Sequence, residues 1–295
     1  MSVSGTTATV SAPPRIYAAW QSLSEETGLA PAYMIGLDGC RRGCLFCHAR
    51  GDWEAFAGEE LSRESLAHHF RRAREWQCCT IQFTGGEPGW RLAEIESALP
   101  AAGDLPLVLN TSLDQPLHLQ AELLAAFKLV IVSLKFGRDQ CAARLGCGSD
   151  YLGPMRERLV AMYEAGIPLR VRHLVMPGHL DCCLRPTLDW LVRELPLVPV
   201  TLLLGFVPPP RPQVPELQRT LTLDERHAAL AQATRSGLCW EAVGAQIPAM
   251  KGHGTGPELV DVVIDAAGAI CLPTMGPAAQ ALAAGLCAAC EEEIP

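Results

Sequence analysis

Residues 155–175 read MRERLVAMYEAGIPLRVRHLV, and the change of period inside that stretch decides the fold. Met155 to Ala165 carries the helical spacing, Gly166 and Pro168 stop it, and Leu169 to Val175 follows as a β-rich apolar run. A second apolar run, Leu129 to Leu134, precedes the helix, so the segment is one strand–helix–strand unit with the parallel connection that such units make. Working outward, further strand candidates are Tyr33 to Leu37, Thr80 to Phe83, Leu107 to Leu109 and Val200 to Phe206. Helix candidates fall between them at Ser62 to Gln77, Arg91 to Leu99, Leu117 to Phe127 and Arg185 to Leu195. A sixth, Leu223 to Ser236, is capped by Thr222 and followed by Gly237. Six β/α units fall short of the eight that close a barrel, so the expected architecture is α/β: a partial (β/α)6 TIM-like barrel with a small C-terminal extension. The expected division is residues 1–30 as an N-terminal tail and short helix, 31–236 as the barrel, and 237–295 as the extension.

Composition fits this reading. The 295 residues are 49% hydrophobic and 19% charged, enough for a large core and incompatible with disorder. The formal charge of −8 offers no general attraction to phosphate backbones, so nucleic acid is not an expected partner. No apolar run approaches the roughly 20 residues needed to span a bilayer, and Met1 to Pro14 lacks the features of an export signal. A cytoplasmic location without membrane association is expected. Thirteen cysteines is an odd count, which with no export signal argues for reduced thiols, some of them holding a metal or cluster.

Just beyond the first strand stands Cys40-Arg-Arg-Gly-Cys44-Leu-Phe-Cys47, a CxxxCxxC triplet. Three thiolates on one loop can hold three irons of a four-iron cluster, leaving the fourth open for a ligand. The competing reading is a zinc knuckle with His48 as fourth ligand, for which the usual paired spacing is missing. With the aromatic Phe46 before its last cysteine, the triplet resembles the hallmark of radical S-adenosylmethionine (SAM) enzymes. Thr84-Gly-Gly-Glu-Pro88, at the end of the second strand, is similar to the GGEP motif of the same superfamily.

That resemblance implies a [4Fe-4S] cluster on Cys40, Cys44 and Cys47, and S-adenosyl-L-methionine chelated by the open iron. Gly85, Gly86, Glu87 and Pro88 would meet the methionine amino group. Reductive cleavage would give methionine and a 5′-deoxyadenosyl radical that abstracts hydrogen from a peptide, protein or small-molecule substrate. A low-potential donor, flavodoxin or ferredoxin, is implied as partner. Two further stretches, Val130 to Gly137 and Val171 to His179, resemble an uncharacterised branch related to the activating enzymes of pyruvate formate-lyase and other glycyl radical enzymes. A glycyl-radical-enzyme activase is therefore an alternative function.

Asn110, Ser133, Lys135 and His173 end strands where a barrel gathers its site, and are candidates for cofactor contact. Arg172 and His173 must point to opposite faces of their strand, and His179 after Pro177-Gly178 is better placed for the mouth. Cys271, Cys287 and Cys290 form Cx15CxxC, similar to the opening of auxiliary-cluster extensions in the superfamily, with Cys239 the remaining nearby thiol. A second Fe-S cluster, a zinc site and inert thiols all remain open for them. The pairs Cys78-Cys79 and Cys182-Cys183 read as small core residues. From another class, a non-catalytic Fe-S or zinc protein could bind a partner through the stiff Pro208 to Pro215 segment.

Overall fold

Seven parallel strands form the spine of the computed structural model, which describes residues 14–22, 26, 28–51, 57–210 and 212–244 and the short strands 247–249, 258–260, 263–265 and 270–271. The parallel run is β2 (Ala32–Leu37), β4 (Thr80–Gly85), β5 (Leu107–Thr111), β6 (Leu129–Ser133), β7 (Leu169–Leu174), β8 (Val200–Leu203) and β9 (Trp240–Val243). Between them lie α1 (Arg63–Glu75), α2 (Leu92–Ala102), the short α3 (Ala121–Leu124), α4 (Asp139–Arg144), α5 (Leu152–Glu164), α6 (Arg185–Glu194) and α7 (Leu223–Ser236). Local chemistry sets several of these ends. Ser62 and Ser65 cap α1 reciprocally, Thr222 and Glu225 do the same for α7, and Gly237 ends α7 in the left-handed conformation. The sheet does not close, so the six β/α units form a partial barrel, as the sequence pattern predicts.

The edges depart from expectation. Residues 1–30 were expected to hold a tail and short helix, but Arg15–Ser22 is a strand, β1, pairing antiparallel with β2. Its other edge takes up β3 (Glu59–Glu60). A register shift between Ile16 and Ala18 breaks the simple alternation, which conceals the strand from a period-two reading. At the far edge β9, expected in the extension beyond residue 236, pairs parallel with β8 and so continues the barrel sheet. Beyond it, β11 (Glu258–Val260) pairs with β10 (Ile247–Ala249), and β12 (Val263–Asp265) follows. β12 joins β9 antiparallel and carries β13 (Ile270–Cys271) outside it.

Side chains alternate cleanly across the spine. Ile35, Phe83, Leu109, Val132, Val171 and Leu202 join residues of the helices, such as Phe70, Ile95, Leu159 and Leu188, in one large buried cluster. The opposite, concave face is partly polar, with Gln82, Asn110, Ser133, Arg170, Arg172, Thr201 and Glu241 on it. A small apolar group of Leu29, Val108 and Ile131 lies apart from the main core on this concave side, and the Thr80 hydroxyl donates to the Leu29 carbonyl at 2.7 Å. Two ion pairs stiffen the concave face: Arg170 with Glu241, and Arg172 in a two-pronged grip on Glu26 at 2.7 Å, the Glu26 side chain being fully buried. Among the described residues no helix is long and apolar enough to cross a membrane.

Candidate active site

The cysteine triplet occupies the loop leaving β2, at the C-terminal end of the parallel strands where barrels assemble their sites. That loop is held at its root by the segment leaving β4. The amides of Gly86 and Glu87 donate to the carbonyls of Leu37 and Gly39, each at 2.8 Å. A Cβ on Gly86 would stand 2.2 Å from the Gly39 carbonyl oxygen, so only glycine lets the two backbones approach this closely. The motif glycines thus bring two loops together.

Glu87 is completely buried, and its carboxylate is fully engaged within the protein. One oxygen accepts from the Thr111 hydroxyl at 2.6 Å and the Gly89 amide at 3.0 Å; the other accepts from the Ser112 amide at 2.7 Å and the Ser112 hydroxyl. The acid therefore ties the end of β4 to the end of β5. What Gly85, Gly86 and Pro88 present to the mouth is backbone, and the Glu87 side chain is turned inward.

The far side of the cysteine loop rests on the segment after β6. Leu45 donates its amide to the Leu145 carbonyl at 3.0 Å, and Phe46 meets Phe136 edge-on, which in turn meets Tyr151. Tyr151 donates to the Ser133 carbonyl at 3.3 Å and accepts the Lys135 amide at 3.0 Å. The Arg42 guanidinium lies over the Tyr151 ring and beside Asp114, and Arg41 lies over Trp90.

The sulfur atoms sit in contrasting environments. Burial pushes the Cys40 thiol up to about 12 and raises that of Cys47. Cys44 is lowered, chiefly because the Cys147 thiol, 3.1 Å away, donates to it, with Lys135 and Arg42 adding positive charge. Cys147 is raised by the same bond. Sequence reasoning missed Cys147, and no local signal marks it, since it lies 103 residues from its partner.

The predicted residues divide by strand face. Asn110 and Ser133 lie on the concave side, Asn110 with its amide 3.4 Å from Gln82. Lys135, just past β6, bears electrostatically on Cys44 and Cys47. His173 is a correction: it shares the helix-facing side with Leu169 and Val171, is 1% exposed, and contacts the Leu134 carbonyl through Nδ1 at 2.7 Å. Strand alternation gives the concave face to Arg172, so His173 cannot reach a cofactor in the mouth. His48 is engaged through Nε2 with the Val207 carbonyl at 2.8 Å, which turns its ring toward the chain leaving β8.

Of the C-terminal thiols, Cys239 is exposed and stands just before β9, at the strand's N-terminal end and away from the mouth. Cys271 lies in β13, opposite Val263 of β12. Since Ile264 and Asp265 face Ala242 and Glu241, Cys271 is level with the far end of β9, roughly 13 Å along the strand from Cys239. Cys287 and Cys290 lie outside the described residues.

The donor set fits a four-iron cluster. Three cysteines, none in a disulfide, stand on one short loop, Cys44 bears electrostatically on both of the others, and two cationic side chains offset thiolate charge. Cys40, Cys44 and Cys47 would each take one iron, leaving one for an exogenous ligand.

Comparison with known proteins agrees. The family model described as the radical SAM superfamily matches residues 34–191, more than half of the chain. A curated relative, an uncharacterized protein of Methanocaldococcus jannaschii, is 24% identical over 225 residues, covering 73% of this chain and 66% of its own. Among solved structures, SuiB of Streptococcus suis bound to S-adenosylmethionine aligns with a TM-score of 0.51 at 15% identity, over 66% of this chain and 44% of that one. The FeFe-hydrogenase maturase HydG of Carboxydothermus hydrogenoformans aligns with a TM-score of 0.51 at 16% identity, over 67% of this chain and 49% of that one. The chain thus spans about half the length of these solved proteins, and the likeness is one of fold.

Proposed function

The chain belongs to the radical SAM superfamily, and from that membership we propose that it is an oxidoreductase that removes a hydrogen atom from a peptide or protein segment held over the barrel mouth. Members of this family are enzymes that use S-adenosylmethionine and a [4Fe-4S] cluster, which displaces the reading as a non-catalytic binding module. When bound, that pair supplies reductive cleavage of the sulfonium and a carbon-centred radical.

The carrying observation is the cysteine loop clamped from both sides, by Gly86 and Glu87 backbone on one flank and the Leu145 carbonyl and Phe136 on the other. Such a loop holds its three sulfurs in place before any ligand arrives. Lys135 and Arg42 stand near enough to favour thiolate over thiol at Cys44. In this proposal Lys135 also meets the carboxylate of S-adenosylmethionine, the backbone of Gly85 and Gly86 meets its amino group, and Asn110 and Ser133 meet the ribose from the concave face. The ion pairs Arg172–Glu26 and Arg170–Glu241 give the site a rigid polar floor.

A peptide substrate is favoured by the proline-rich sequence that begins at Pro208, which leaves β8 beside the motif through the His48–Val207 contact. Activation of a glycyl radical enzyme would be one case of this class. A flavodoxin or ferredoxin would supply the electron.

The test is anaerobic turnover with S-adenosylmethionine and dithionite, measuring 5′-deoxyadenosine by chromatography. Product from the wild-type chain and none from Cys40→Ala, Cys44→Ala or Cys47→Ala supports the proposal. A full cluster without product overturns it.

A further inference from the structure

A second group of candidate ligands, apart from the cysteine triplet, gathers beside the segment that follows β6. Cys141, in the first turn of α4, meets His179, Cys182 and Cys183 from the turn that joins β7 to α6, and their ligand atoms all lie within 4.8 Å of one another. Cys40, Cys44 and Cys47 are not members of this group.

Two local features create it. The turn Leu180–Leu184 is π-helical, with the amides of both Cys183 and Leu184 donating to the His179 carbonyl at 2.9 and 3.2 Å. That winding puts His179, Cys182 and Cys183 side by side, and π-turns of this kind are frequent at functional sites. Gly137 then lets the β6 loop press on the turn, because a Cβ there would stand 2.5 Å from the Cys183 carbonyl oxygen. The contact carries Cys141, four residues on, over the other three ligands.

The distances suit one tetrahedral ion. The His179 Nδ1 atom is 3.4 Å from the sulfurs of both Cys182 and Cys183, and those sulfurs are 3.8 Å apart. A zinc ion with bonds of about 2.3 Å to sulfur and 2.0–2.1 Å to nitrogen needs edges of about 3.8 Å between sulfurs and about 3.5 Å between sulfur and nitrogen. A four-iron cluster would spread the sulfurs further, each on its own iron, and a disulfide would bring two of them to about 2.05 Å.

The surroundings complete the site. His179 is 7% exposed, and its other nitrogen, Nε2, faces the Glu216 carboxylate at 3.8 Å. A metal-bound histidine characteristically directs its second nitrogen to such an acid, which fixes the tautomer that frees Nδ1 for the metal. Glu216 is itself paired with Arg144 at 2.9 Å, so a cation stands by to offset the extra negative charge of three thiolates. A cavity of about 380 Å³ lined by Cys141, His179, Cys182 and Glu216 provides an entry path.

We propose that Cys141, His179 Nδ1, Cys182 and Cys183 form a tetrahedral zinc site, distinct from the cluster loop. Binding exchanges three thiol protons for the ion and leaves the imidazole neutral. With four protein ligands the site is closed and structural: it staples the β6 loop, which carries Lys135, to the β7 turn. The Cys182-Cys183 pair, read from sequence as core filling, becomes half of the ligand set.

The test measures zinc and iron in the same purified full-length samples and follows Co²⁺ substitution by absorption. The cluster-filled wild type and the Cys40→Ala/Cys44→Ala/Cys47→Ala chain should each keep about one zinc per chain and give the visible bands of a tetrahedral thiolate site with cobalt. Cys141→Ser and Cys183→Ser should lose that zinc. His179→Cys, which keeps four ligands, should retain the metal but shift the cobalt spectrum toward that of four sulfurs. Zinc absent from the cluster-filled wild type, zinc undiminished in Cys141→Ser and Cys183→Ser, or a cobalt spectrum unmoved by His179→Cys would each overturn the proposal. So would a Cys141–Cys182 disulfide in chains that never take up metal.

Discussion

Glu87→Gln should destabilise the protein by about 3 kcal/mol, although it changes only one atom of a side chain no ligand is required to touch. The carboxylate receives four hydrogen bonds, two at each oxygen, and at each oxygen one donor is a hydroxyl and the other a backbone amide. Glutamine must turn its NH2 toward one of these pairs. The hydroxyl can rotate to accept, but the amide of Gly89 or Ser112 cannot, and a buried donor without a partner costs about 1–3 kcal/mol. The two bonds that survive lose their charge assistance, which roughly halves them. For a chain of this size about 3 kcal/mol corresponds to a fall in melting temperature of about 6–12 °C. Urea unfolding of the cluster-free chain, with Thr111→Val and the double variant closing a cycle, measures it. The coupling between positions 87 and 111 should be at least about 0.5 kcal/mol, as expected for residues in one network. A loss under about 1 kcal/mol for Glu87→Gln would refute the claim that this acid pins β4 to β5.

Three further outcomes follow from the geometry. Arg172→Met removes the two-pronged partner of the fully buried Glu26 side chain and should cost about 3–5 kcal/mol in urea unfolding, far more than an exposed arginine. Gly86→Ala puts a methyl 2.2 Å from the Gly39 carbonyl, so the purified variant should bind well under half the iron of the wild type on reconstitution, whereas Gly51→Ala, with open space around it and no left-handed backbone, should bind iron normally. His173, held down to about 4 by burial, stays neutral in the folded protein where the unfolded chain would be protonated. Stability should therefore be unaffected above the ordinary histidine range near 6.5 and fall by about 3 kcal/mol as the pH drops from there to about 4, a loss that His173→Gln should largely abolish in pH-dependent urea unfolding.

The parallel spine was legible because each buried strand is a short apolar run set off by turn residues, as at Gly166-Ile-Pro168 before β7. β1 was not, since Arg15–Ser22 owes its strand to pairing with β2 and carries a register irregularity that spoils its alternation. The cysteine triplet and GGEP were visible as spacing. Their physical roles were less so: that Glu87 faces inward depends on Thr111 and Ser112, more than twenty residues away in sequence. The side of the barrel that His173 faces follows from strand alternation once Val171 is known to be buried against the helices. Cys147 beside Cys44, Glu26 beneath Arg172 and Cys141 beside His179 are contacts across 38 to 146 residues, which no local pattern encodes.

The open iron on Cys40, Cys44 and Cys47 is tested most directly by electron paramagnetic resonance of the anaerobically reconstituted, dithionite-reduced chain with and without S-adenosylmethionine. A four-iron signal whose shape changes when the nucleotide is added, and which is missing from Cys44→Ala, is the expected result. A signal indifferent to the nucleotide, or one that survives in Cys44→Ala, would mean that the triplet does not hold a cluster with a vacant iron.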